Sequence, residues 1–253
     1  MFAEERQVGI EKTLHEYGKV KVKELSEKYN VTEDCIRKDL KTLENEGRLK
    51  RTYGGAILSR DYPLEREVIR RRDYNMDKKQ IIAAKSELKI KDDETIFLDI
   101  STTNIELAKL LVEKNRKLVV VSNMIDILQT LAVSPFITVI GTGGHMYERV
   151  NGFMGSAAME VIKSYSFDRA FFGTCGIDMT EGAITTLGVE DGLTKKAALT
   201  CSRHKYIVME KEKFYFNDSY KYAYFDDIGA IITDERPDTA TVEALENAGV
   251  VIY

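Results

Sequence analysis

Val31-Thr32-Glu33-Asp34-Cys35-Ile36-Arg37-Lys38-Asp39-Leu40-Lys41-Thr42-Leu43 reads as a helix with its cap in place. Thr32 is a favoured N-cap, and Glu33 and Asp34 follow in the first turn, where the helix dipole favours carboxylates. Ile36, Leu40 and Leu43 recur at i, i+4 and i+7 and define an inward face, which leaves Arg37, Lys38 and Lys41 outside. Just upstream, residues 22–29 make a second short helix with Leu25 and Tyr29 on one side, and Asn30 and Val31 form the turn between the two. Two helices joined by so short a turn, the second with a cationic outer side, predict a helix-turn-helix with the spacing for a recognition helix in the major groove.

The flanks complete this module. Residues 2–17 repeat apolar side chains at Val8, Ile10 and Leu14 and stop at Gly18, a residue suited to end a helix. Gly47 is placed to end the third helix. Arg48-Leu49-Lys50-Arg51-Thr52-Tyr53-Gly54-Gly55-Ala56 then alternates side chains around a Gly-Gly turn and predicts a two-stranded wing. Residues 1–57 thus read as a winged helix-turn-helix DNA-binding domain. The whole chain has a formal net charge of -4, yet residues 19–51 hold 10 basic and 7 acidic side chains. That is a local basic bias, weak evidence of phosphate binding by itself.

Residues 58–79 read as a linker containing Asp61, Pro63 and the charged run Arg70-Arg71-Arg72-Asp73, which suits a solvated face better than a DNA contact. Residues 80–253 change pattern. Short apolar strands are expected over 95–99, 118–122, 137–141, 169–173, 206–209, 230–233 and 250–253, and helices over 105–111, 124–131, 157–165, 194–201 and 239–247. Strands alternating with such helices predict an α/β fold with a mostly parallel sheet covered on both faces, and ligands of such sheets sit at the carboxyl ends of the strands.

Composition sets outer limits. A chain of 253 residues, 43% hydrophobic and 31% charged, has an ordinary globular balance, which excludes disorder, collagen and a disulfide scaffold. The longest apolar runs fall far short of the roughly 20 residues a membrane span needs, so no membrane partner and a cytoplasmic location are expected. Cys35, Cys175 and Cys201 lack CxxC spacing and are expected to be reduced thiols.

Candidate ligand-binding residues gather at the predicted strand ends. The first strand ends Phe97-Leu98-Asp99, and Ile100-Ser101-Thr102-Thr103-Asn104 opens a helix. Free backbone N–H groups beside these hydroxyls form an anion site suited to phosphate, although Ser and Thr also serve as plain N-caps. Asp99 is placed to accept from sugar hydroxyls. Ser122 and Asn123 offer a hydroxyl and an amide at the next strand end, and Gly143 in Gly141-Thr142-Gly143-Gly144 permits close backbone approach or simply a turn. Glu190 and Lys195 lie near the start of a later helix, and Lys213 follows a strand, where a lysine neutralises a phosphate or is solvated. His15, His145 and His204 have no spaced partner, and there is no serine-nucleophile motif, so no catalytic residue, metal or cofactor is assigned.

These residues together resemble the DeoR family of bacterial transcriptional repressors over almost the full length. The resemblance rests on residues 31–40, on Leu43-Glu44-Asn45-Glu46-Gly47, and on Arg51-Thr52-Tyr53-Gly54-Gly55-Ala56. It implies that double-stranded operator DNA is read by Thr32, Cys35, Arg37, Lys38 and Lys41, with Arg51, Tyr53 and Gly54 in the wing. Cys35 stands where the family usually has Thr, and Lys38 where Arg is usual; Lys lacks the planar bidentate contact of Arg. The second domain is similar to the family's effector domain, whose fold resembles ribose-5-phosphate isomerase. The family's Asp-x-Gly-Thr-Thr loop corresponds to Asp99-Ile100-Ser101-Thr102-Thr103, with Ser101 for glycine, and Asp-x-x-Lys-Phe corresponds to Glu210-Lys211-Glu212-Lys213-Phe214. The resemblance implies a homo-oligomer, dimer or tetramer, whose DNA affinity is changed by a phosphorylated sugar. Two rival readings stay open: an isomerase using Asp99, Glu190, Lys195 and Lys213, and a DNA-binding protein whose second domain is an oligomerisation scaffold.

Overall fold

The computed structural model describes residues 3–17, 19–45, 48–57 and 68–253. The chain divides into two compact units, residues 1–65 and 66–253. In the first, α1 (Ala3–Tyr17), α2 (Val22–Tyr29) and α3 (Glu33–Asn45) pack with strands β1 (Lys19–Lys21), β2 (Lys50–Thr52) and β3 (Gly55–Ile57). The Thr32 hydroxyl accepts the Cys35 N–H at 3.3 Å, so the expected cap starts α3. Ile36, Leu40 and Leu43 are buried against Ile10, Leu14 and Leu25. Val8 is not part of that core: it is 62% exposed. Gly18 and Gly47, expected to end helices, lie outside the described residues.

The wing forms in the expected place but has a third strand. β3 pairs antiparallel with both β2 and β1. The Lys-Val-Lys segment of β1 is too short for periodicity to reveal and gains strand structure from its partner. A Cβ on Gly55 would stand 2.0 Å from the Val20 carbonyl oxygen, and Gly54 has φ +85°, so each glycine meets a different demand of the turn. One ion pair is sealed into this small unit: Arg6 Nε lies 2.5 Å from Asp39 Oδ2, with both side chains buried.

The second unit opens with two helices, α4 (Val68–Arg71) and α5 (Met76–Glu87). The linker expected over 58–79 therefore needs correction: residues 58–67 lie outside the described residues, while Val68 is buried in the core of the second unit. Strands and helices then alternate: β4 (Thr95–Leu98), α6 (Thr102–Glu113), β5 (Leu118–Ser122), α7 (Ile125–Leu131), β6 (Ile137–Gly141). A hairpin, β7 (His145–Tyr147) and β8 (Gly152–Met154), leads to α8 (Ser156–Lys163) and β9 (Phe167–Gly173). The remaining elements are β10 (Gly176–Asp178), β11 (Ala183–Thr186), α9 (Val189–Thr200), β12 (Ser202–Val208), β13 (Tyr220–Tyr224), β14 (Ala230–Ile232), α10 (Thr239–Asn247) and β15 (Val251–Ile252).

Seven strands form a sheet in the order β15-β14-β12-β9-β4-β5-β6, with every neighbouring pair parallel. Chain order runs outward from β4 to β6, then returns to β9 on the other side of β4. The β4–β9 junction is thus the topological switch point, where the two crossovers diverge and leave a crevice. Successive side chains of β4 alternate: Ile96 and Leu98 enter the core against α5 and α6, whereas Phe97 enters the opposite core with Ala197 and Leu199 of α9. A separate antiparallel sheet, β10-β11-β13, lies outside the sequence expectation.

Candidate functional site

On α3, Arg37, Lys38 and Lys41 are exposed, as expected for its outer side. Arg37 is occupied: its guanidinium meets Glu33 at 2.5 Å and Asp34 at 2.7 Å. Lys38 and Lys41 form no ion pair among the described residues. Thr32 is exposed with its hydroxyl spent on the cap, and Cys35 is half-buried. In the wing, Arg51 donates to Glu44 through both backbone N–H (2.9 Å) and Nε (2.6 Å), tying β2 to the end of α3. These bonds, the backbone one foremost, hold the Glu44 carboxyl below its ordinary range. Tyr53 stands fully exposed at the turn beside Gly54.

The second candidate site occupies the switch point. Two residues beyond Phe97, Asp99 leaves β4 on the same side as α9, and it is fully buried. Its Oδ2 accepts the Gly173 N–H at 3.1 Å and pairs with Lys195 of α9, itself buried. Asp191, one turn earlier on α9, lies 3.4 Å from the same ammonium and takes the Thr186 hydroxyl at 2.5 Å. Tyr222, also buried, donates to the Gly173 carbonyl at 3.0 Å. Burial pushes the Asp99 carboxyl up to about 6, with Lys195 opposing the rise. Burial also works against the Lys195 ammonium, but Asp191 and Asp99 outweigh it and its pKa is raised.

Ser101 caps α6 by accepting the Thr103 N–H at 3.2 Å. A Cβ on Gly173 would stand 2.7 Å from the Ser101 Cβ, so the side chain that replaces the expected glycine is accommodated by a glycine opposite. Thr102 and Thr103 are buried in the first helical turn, where backbone N–H groups have no intrahelical acceptor. Asn104 donates to the carbonyls of Asp99 and Phe171, both at 2.9 Å, holding β4 and β9 together where their ladder ends. Asp99 Oδ1, Asn104 Oδ1 and Asn123 Oδ1 are buried acceptors without a partner. Such atoms are costly to leave unmet, and all three suit a ligand rich in hydroxyl donors.

Other predicted residues are distributed unevenly around this centre. Lys213 donates to the carbonyl of Thr174, next to Gly173, at 3.0 Å. Asn123 is held by the Phe153 carbonyl at 3.1 Å, while the Ser122 hydroxyl is spent on the Leu98 carbonyl and the Met124 N–H. Gly143 has φ +59° with open space around it, in a loop past β6. Glu190 is exposed and approaches the start of α8 at Gly155. Sequence reading missed Gly173, Asn104, Asp191 and Tyr222. The i, i+4 spacing of Asp191 and Lys195 was the one signal available for the third. A surface cleft lined by Arg203, His204, Asp226 and Gly229 lies at the opposite, amino ends of β12 and β14, away from this chemistry.

A winged helix-turn-helix together with a parallel α/β domain, polar at its switch point, describes a regulator with a reading module and a sensing module. Residues 6–61 match the DeoR-like helix-turn-helix domain, and residues 74–235 match the DeoR C terminal sensor domain. The chain belongs to the DeoR family and is a DNA-binding transcriptional regulator. It is 30% identical over 252 residues to the HTH-type transcriptional regulator YulB of Bacillus subtilis, covering 100% of this chain and 96% of that one. Identity to the lactose phosphotransferase system repressor of Lactococcus lactis is 32%, covering 87% and 86%. The glycerol-3-phosphate regulon repressor of Escherichia coli is 28% identical, covering 95% and 94%. Among solved structures, ribose 5-phosphate isomerase A of Methanocaldococcus jannaschii matches with a TM-score of 0.40 at 15% identity, covering 55% of this chain and 54% of that one. No helix among the described residues is long and apolar enough to cross a membrane.

Proposed function

We propose that this regulator represses a sugar-metabolism operon and that a phosphorylated sugar, bound at the β4–β9 switch point, changes its affinity for the operator. The observation that carries this reading is Asp99, sealed at the carboxyl end of the central strand with Oδ1 unmet, beside the start of α6. Asp99, Asn123 and the hydroxyls of Ser101, Thr102 and Thr103 would hold the sugar, and the α6 N-terminus with Lys213 its phosphate. Lys195 fixes the Asp99 carboxylate. The names of the lactose and glycerol-3-phosphate repressors support a carbohydrate context. A ligand that prefers one conformation, with a coupling of about 1–3 kcal/mol, would change operator affinity roughly 5- to 150-fold. A homodimer or tetramer would present paired α3 helices to repeated half-sites.

On the DNA side, Arg37, Lys38 and Lys41 approach the groove, with Thr32 and Cys35 at the start of the helix and Arg51, Tyr53 and Gly54 on the flanking backbone. Arg37→Ala is expected to weaken binding to the DNA upstream of the protein's own operon by about 1–3 kcal/mol, with melting temperature unchanged. Unaltered affinity in that variant would remove α3 from the reading face. The effector half is tested by a thermal-shift panel of phosphorylated sugars, with every hit retested for its effect on DNA affinity. A compound that raises the melting temperature and changes DNA affinity establishes the switch. If no compound does both, this reading fails.

A further inference from the structure

The ligand site has two walls, and one segment of the chain is fastened to both. We infer that residues 71–79, the lead-in from the DNA-binding unit, gauge the separation of those walls and carry it back toward that unit. The inference rests on the proposal that the switch point binds an effector.

The first wall is the turn Lys211–Tyr215 that follows β12. Lys213 reaches into the site at the Thr174 carbonyl, and its backbone N–H donates to the Glu210 carbonyl at 3.0 Å. The same turn grips the lead-in. Asn75 Nδ2 donates to Glu210 Oε2 at 2.5 Å, and Lys78 pairs with Glu212. This explains the departure at 210, where the longer acid spans the distance to Asn75.

The second wall is the end of β5 and the loop before β8. The Asn123 side chain donates to the Phe153 carbonyl while its backbone carbonyl accepts the Phe153 N–H at 2.7 Å, and the Asn151 backbone carbonyl accepts the Ile125 N–H at 2.9 Å. Asp126, at the start of α7, receives Asn151 Nδ2 at 2.9 Å and pairs with Arg72. Of the arginine run read as a solvated face, Arg72 is therefore a tether on this wall.

Between the tethers the lead-in is stiff. Lys79, buried on α5, donates its ammonium to the carbonyls of Arg71 and Tyr74, which clamps the turn between α4 and α5. Burying a charge for two carbonyl contacts is expensive, and what it secures is one conformation of residues 71–75. A ligand that bridges Thr174 and Asn123 would move the tethers relative to each other. A clamped turn passes on such a shift instead of absorbing it, because packed elements repack between discrete arrangements.

The first test needs no ligand. In the full chain, Lys213→Met is expected to speed amide hydrogen exchange over residues 72–80 at least about tenfold, through loss of order in the turn that holds Asn75 and Lys78. Unchanged exchange over 72–80 overturns the inference. Should that variant fail to fold, Lys213→Gln gives the same comparison. The second test combines Glu212→Gln with Asp126→Asn, which removes the Lys78–Glu212 and Arg72–Asp126 pairs while keeping shape. Affinity for a sugar phosphate that binds the parent is expected to stay within about twofold, while its effect on DNA affinity falls below about twofold. A retained DNA response with both tethers weakened also overturns it. If no sugar phosphate binds the parent, the effector reading is what has failed, and the exchange measurement still decides the mechanical link.

Discussion

Replacing Asp39 by Ala is expected to abolish DNA binding by the full chain and to cost the first unit about 3–5 kcal/mol. Asp39 is the only carboxylate turned into that unit's core among the described residues. It takes Arg6 Nε at 2.5 Å and Nη2 at 3.2 Å, and Gln7 Nε2 at 3.3 Å. Removing it strands a guanidinium away from water, and the penalty is that of the uncompensated charge more than of the lost attraction. A unit of 65 residues has a total stability of roughly 3–10 kcal/mol, so the loss consumes much or all of it. Since the pair clasps α1 to α3, the helix that presents Arg37 loses its backing. Loss of hydrogen-exchange protection across α3, in parallel with lost DNA binding, checks this; protected amides with intact binding would show that the pair does not hold the helices. Arg6→Met combined with Asp39→Leu is expected to restore the fold, because a buried apolar pair replaces a buried ion pair at little cost.

Lys195→Met is expected to lower the melting temperature of the second unit by roughly 6–20 °C, since it leaves Asp99 buried without its partner. The effect carries a pH signature. An acid whose folded pKa lies above its unfolded value stabilises the fold in its protonated form, so the contribution of Asp99 is greatest below pH 3.8 and falls as pH rises toward about 6. Without the ammonium, the folded value climbs further and the loss continues above pH 6, at about 1.4 kcal/mol per pH unit. The deficit of the variant relative to the parent is thus expected to be larger at pH 8 than at pH 5. An equal deficit at both would mean that Asp99 carries no charge in need of a partner.

What could be read from the sequence was what local chemistry sets. The bounds of α2, β5, β6 and α10 follow from short-range pattern, and Thr32 and Ser101 from capping. The α5 helix was hidden because its buried face includes Lys79 and Glu87, which no hydrophobic pattern marks. The strands β10, β11 and β13 are brief and owe their structure to one another. Of the site, the residues on one loop, Asp99 to Thr103, could be read together. The Asp99–Lys195 pair could not, because it joins residues 96 positions apart and depends on the sheet order that places α9 beside β4. Glu190, five residues before Lys195 on α9, is exposed and leaves that helix on another side.

The sheet's central junction also sets a schedule. The Thr95 amide bonds the carboxylate of Asp168, 73 residues further along, and neither core of the second unit can close before β9 exists. At a synthesis rate of 5–20 residues per second, that is a delay of at least roughly 4–15 s after β4 leaves the ribosome. The first unit needs nothing beyond its own residues for its core. Every newly made copy therefore passes through a stage in which the helix-turn-helix unit is finished and the sensor domain is not, and any hold on DNA at that stage is outside the sensor domain's control.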